Sequence, residues 1–133
     1  MSERSAARRF EDLIAWQKAR ELTKRVYNVT GNGHFARDFG LRGPLRGSSV
    51  SIMANIAEGF ERAGQSEFHQ FFSIAKSSCA ELRSHLYVAH HAEYIDATRF
   101  KDLMGLAQEV LPLIGGLRSV VQRRRAERES RDG

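Results

Sequence analysis

The sequence predicts an all-α protein, an antiparallel up-down-up-down four-helix bundle. Three observations carry this: four segments repeat apolar residues at spacings of three and four, no segment alternates as a strand does, and the breaks between segments are short. Amphipathic helices of this number and spacing have one economical packing, with each helix turned against its predecessor.

The first helix is expected over residues 12–30, with Ala15, Ala19, Leu22, Val26 and Val29 on one stripe and Gly31-Asn32-Gly33 as its stop. The second is expected to start near Asp38, a good N-cap, with Leu41, Leu45, Ser49, Ile52, Ile56 and Phe60 inward. Gly43-Pro44 and Gly47 interrupt its first turns. A proline inside a helix removes a hydrogen bond and costs about 3 kcal/mol, so this helix should either kink near Gly43 or begin there. Ser66 reads as the N-cap of the third helix, after Gly64. Its stripe runs Phe68, Phe71/Phe72, Ala75, Cys79, Leu82, Leu86 and Ala89. The fourth is expected from Asp96 through Phe100, Leu103, Ala107, Val110, Ile114, Leu117 and Val121, bent at Pro112 and slackened by Gly115-Gly116. Beyond Val121 the apolar period ends, and residues 122–133 should fray as an arginine-rich tail. Residues 1–9 read as a basic flexible arm, leaving 10–121 as one bundle domain.

Composition narrows the function. No stretch approaches the ~18 apolar residues of a membrane span, and the arginine-bearing start carries no apolar signal segment. With Cys79 the single cysteine, a reducing, cytoplasmic setting is expected. The net charge of +5 is unevenly placed: residues 10–117 are neutral, and the excess sits in the two ends. A neutral body with basic ends suits a protein that touches phosphate, although the same layout also serves solubility alone. The candidate nucleic-acid-binding residues are therefore Arg118, Arg123, Arg124, Arg125 and Arg128, then Arg4, Arg8 and Arg9, and third Arg42 and Arg46. No groove-entering motif or aromatic stacking platform is visible in the sequence.

Catalysis has little support. No Glu-x-x-His pair of a di-iron bundle occurs, His90 and His91 diverge by ~100° on a helix, and no phosphate-cradling glycine motif is present. No metal, cofactor or catalytic residue is expected. One polar group stands out: Asn55, Glu58 and Arg62 share a helix face beside the apolar stripe. With Glu81 they could form a buried or inter-subunit network that fixes register; the plainer reading is a surface Glu58–Arg62 pair.

Two runs carry a resemblance. Phe10-Glu11-Asp12-Leu13-Ile14-Ala15-Trp16-Gln17-Lys18-Ala19 with Asn55-Ile56-Ala57-Glu58-Gly59, and Glu67-Phe68 through Phe71-Phe72-Ser73-Ile74-Ala75 to Ala80-Glu81-Leu82, resemble the bacterial four helix bundle protein family. Its members were first noted in intervening sequences of 23S ribosomal RNA genes. Met53 stands where many relatives carry proline, and Gly43-Pro44 and Gly47 replace a plain basic helical segment. The resemblance implies an up-down bundle and, for several relatives, a ring-shaped homopentamer, but no activity. A related branch, the accessory variability proteins of diversity-generating retroelements, forms a basic pentamer that binds RNA and a reverse transcriptase. The expectation is thus a non-enzymatic homo-oligomer that binds RNA or DNA backbone as an accessory or scaffold factor. The alternative is a protein-interaction module, for example toward a reverse transcriptase, whose arginines serve solubility.

Overall fold

A computed structural model describes residues 7–62 and 67–132, and among these residues the secondary structure is entirely helical. After a 3-10 turn at Phe10–Asp12 come α1 (Ile14–Thr30), a second 3-10 turn (Phe35–Arg37), α2 (Phe39–Glu61), α3 (Phe68–His91), α4 (Ala97–Gly115) and α5 (Leu117–Asp132). α2 packs most extensively on α3, and α1 and α4 complete the ring of neighbours: α1 touches α2 and α4, and α3 touches α4. The predicted stripes meet in the middle. Leu22, Val26, Leu45, Ile52, Ile56, Leu82, Leu86, Leu103 and Val110 are all fully buried.

Each boundary has a local cause. α1 ends where Thr30 turns its hydroxyl back to the Val26 carbonyl, and Gly33 takes the left-handed backbone of the following turn. Asp38 caps α2 as expected, accepting from the Leu41 N–H at 3.2 Å, and is itself held by the Tyr94 hydroxyl at 2.8 Å. Of the two expectations for Pro44, a start near Gly43 does not hold, because α2 is assigned as one helix from Phe39 through the proline. The missing N–H deprives only the Gly40 carbonyl of its helical donor, while buried Leu41 and Leu45 hold the turn on both sides. Ser66 and Gly64 lie outside the described residues, and the described part of α3 starts at Phe68. Asp96 caps α4 through the Arg99 N–H at 2.8 Å, as the sequence predicts.

α3 ends in a Schellman motif. The Tyr94 N–H reaches the Ala89 carbonyl at 2.9 Å and the Glu93 N–H reaches that of His90 at 3.0 Å, with Glu93 itself at φ 63°. A side chain in this left-handed position costs about 1 kcal/mol that glycine avoids. Glu93→Gly is therefore expected to raise the unfolding free energy by about 0.5–1 kcal/mol, read as a higher urea midpoint at unchanged slope.

The largest departure lies at the C-terminus. The fourth helix stops at Gly116, and the chain resumes as α5, helical to Asp132 rather than frayed. Leu117 and Val121 are buried, and the Arg124 guanidinium lies 4.3 Å from the Phe60 ring centroid. These three contacts, one per turn, anchor the helix. The remaining Arg- and Glu-rich turns extend it with residues of good helix propensity.

Cys79 is fully buried, and its thiol lies 3.4 Å from the Ala107 carbonyl as donor. Burial pushes its pKa up from 9.0, so the neutral thiol is favoured; its contribution to stability is full below pH 9.0 and is lost as pH rises from there through the raised value. A thiol reagent at pH 8 should leave native protein unmodified, and it should label Cys79 only at denaturant concentrations that unfold the chain.

Candidate nucleic-acid interface

α5 builds the site. Leu117, Val121, Arg124, Arg128 and Arg131 follow one another at spacings of four, three, four and three, so they lie on one side of the helix. That side begins as an apolar anchor and becomes a row of arginines. At the transition, Arg124 donates to the Phe60 carbonyl (3.5 Å) at the C-terminus of α2 and to the Arg8 carbonyl (3.4 Å). Its cation faces the negative end of α2, and the same guanidinium lies over the Phe60 ring. Burial, and after it the charge of Arg128, lower the Arg124 pKa.

The N-terminal arm joins there. The Arg8 and Arg9 N–H groups both donate to Asp12 Oδ2 at 3.1 Å, so the chain is held from Arg8 onward, and these bonds keep the Asp12 carboxyl below its usual range. Arg8, Arg123, Arg124, Arg128 and Arg131 line one open cleft of ≈770 Å³, with Glu127 the acid among its lining. The structure thus gathers basic residues from both ends of the sequence at one end of the bundle. Arg131, which sequence reasoning missed, belongs to this group; its spacing from Arg124 and Arg128 was the available signal.

The other candidates divide. Arg118 and Arg125, seven residues apart, share a different flank of α5 and do not line the cleft. Arg9 lies outside the lining, and Arg4 lies outside the described residues. Arg42 and Arg46 sit toward the opposite end of α2, ~27 and ~21 Å from Phe60 along the helix. Their guanidinium groups are engaged with other parts of the chain. Arg42 donates to the Ala36 carbonyl (2.7 Å) and covers Phe39; Arg46 donates to Thr30 Oγ1 (2.7 Å) and covers Tyr27. They cap the end of α1 and the turn after it.

Within one chain the four polar residues do not join as a single network. Asn55 donates to the carbonyl and hydroxyl of Ser51 (2.8 and 3.1 Å), whose Oγ lies 2.7 Å from Ser78 Oγ across the α2–α3 seam. Glu58 pairs with Arg62 at 3.6 Å, and Arg62 reaches Glu67 at 3.9 Å over the Phe71 ring. Glu81 is exposed and joins neither group, because it projects from the outer side of α3 rather than into the seam. A second cleft, ≈880 Å³, opens beside the α3–α4 turn, but its Arg25 and Asp102 neutralise each other at 2.6 Å. Among the described residues no group of three His, Cys, Asp or Glu gathers as a metal site, and no helix is long and apolar enough to cross a membrane.

These features define a class, a helical bundle with a basic cleft formed by its two chain ends. Residues 11–116 match the family described as 23S rRNA-intervening sequence protein, and the chain belongs to that family. The fold is similar to the crystal structure of a protein of unknown function from the S23 ribosomal protein family of Bacteroides thetaiotaomicron. The TM-score is 0.71 at 21% identity, covering 79% of this chain and 98% of that one. No curated protein matches the sequence.

Proposed function

We propose that this protein is a non-enzymatic accessory or scaffold factor that binds the phosphate backbone of RNA or DNA. Its helices run alternately up and down, and it acts as a homo-oligomer, on the family resemblance a ring of five. The observation that carries the reading is the arginine side of α5 meeting Arg8, which concentrates the basic excess of both chain ends in one cleft. A ring of five would carry about +25 and multiply weak phosphate contacts. Self-assembly is supported by exposed apolar side chains on α2 and α3: Val50 on α2, and Ile74 and Val88 on the outer side of α3, with Glu81 between them on that stripe.

The test is the salt dependence of binding to a mixed-sequence RNA and to DNA of the same length. Full-length protein should lose affinity steeply and log-linearly with salt, and protein lacking residues 122–133 should bind weakly with a shallower slope. Equal affinity and slope after that deletion would contradict the reading.

A further inference from the structure

The face shared by α3 and α4 carries a second set of groups suited to nucleic acid, far in sequence from the basic cleft. Its charges are sorted. Both acids of α4 turn toward α1, where Asp102 pairs with Arg25 at 2.6 Å and Glu109 with Lys18 at 3.5 Å. The one acid of α3, Glu81, points to the opposite side of its helix from Lys76, Arg83 and Tyr87, which share a stripe at spacings of seven and four. Neither Lys76 nor Arg83 has an acidic partner among the described residues, and the Arg83 Nε is buried with no acceptor at all.

Beside these cations stands an aromatic group that α3 and α4 bring together. Tyr87 meets the Phe100 ring edge-on, centroids 5.2 Å apart, and His90 stacks on Phe100 at 4.7 Å. Tyr87 is 59% exposed, so a large ring lies open to solvent although it rests against a neighbour that fixes its orientation. Exposed aromatics flanked by unpaired cations are the combination that holds single strands, with bases stacking on the rings while the cations follow the phosphates.

We propose that single-stranded nucleic acid lies across the α3–α4 face, a base stacked on Tyr87 and phosphates held by Arg83 and Lys76. This rests on the nucleic-acid reading above and adds a site to it. The basic cleft supplies charge alone, whereas this face requires unstacked bases and so favours a single strand over a duplex.

Fluorescence anisotropy of the full chain with labelled single-stranded RNA, single-stranded DNA, duplex and an abasic single strand separates the possibilities. Tyr87→Ala is expected to weaken binding to both base-bearing single strands roughly 5- to 50-fold and to leave the abasic strand unchanged. Arg83→Gln should weaken binding to all single strands, the abasic one included. Because Tyr87 is mostly exposed, an unchanged melting temperature is expected to accompany the loss. If Tyr87→Ala binds as wild type does while Arg128→Glu/Arg131→Glu loses affinity, the α3–α4 site is overturned and the basic-cleft reading stands. If wild type binds none of the four probes, both fall. If an acidic polypeptide such as poly-glutamate binds with the same Tyr87 dependence, the partner is a protein and the single-strand assignment is overturned.

Discussion

Replacing Gly59 with alanine should destabilise the protein by about 2–3 kcal/mol, the largest glycine-to-alanine effect expected among the described residues. A Cβ on Gly59 would fall 2.5 Å from Cε1 and 2.8 Å from Cδ1 of Phe72, distances that real Cβ atoms do not tolerate. The ring has little freedom to retreat. Phe72 is buried in the α2–α3 interface and packs edge-on against Phe68, centroids 5.8 Å apart, which is itself buried. Elsewhere a glycine-to-alanine change within a helix would gain up to ~1 kcal/mol in propensity, and here the clash outweighs that gain. Trimming the ring should relieve it. In Gly59→Ala/Phe72→Leu, the loss is expected to be well below the sum of the two single changes, giving a coupling of about 1–2 kcal/mol in a urea-denaturation cycle. Additive losses would mean that the two residues do not meet.

Reversing the charge of Arg128 and Arg131 together should weaken nucleic-acid binding about 10- to 100-fold at low salt and flatten its salt dependence, while leaving the melting temperature within a degree or two. Both side chains lie beyond Arg124, the last anchored position of α5, and are exposed, so no described packing depends on them. Arg124→Ala should behave differently. It removes the cover from Phe60 and two carbonyl hydrogen bonds, so it should lower stability by about 1–2 kcal/mol as well as weakening binding.

The contrast between these arginines shows what the sequence could and could not convey. The cores of α1 to α4 were legible because an apolar side chain every three or four residues has one physical use on a helix, and Leu22, Ile52, Leu82 and Val110 are buried where that period puts them. The order of α5 was illegible because its last anchor is an arginine, whose planar head takes the place of a hydrophobe against Phe60. Periodicity also locates a residue on its own helix but not against its neighbour. The sequence marks Asn55 on α2, yet its network closes through Ser51 onto Ser78 rather than Glu81, which depends on how α2 and α3 slide past each other. The same limit hid the meeting of Tyr87 with Phe100. Arg42 and Arg46 read as an open basic patch because no sequence rule revealed that the end of α1 would arrive beneath them. Gly59 could be quoted as part of a family motif, but its reason, the Phe72 ring, came only with the packing.

An oligomer that binds nucleic acid through charge should reveal itself in the light-scattering mass of the purified protein. The mass would be measured alone and with a mixed-sequence RNA, at low and at physiological salt. A particle of about five chains that gains RNA mass at low salt, and sheds it as salt rises, is the predicted result. A monomer, or an oligomer whose mass is indifferent to RNA at either salt, would rule out a charge-driven nucleic-acid-binding oligomer.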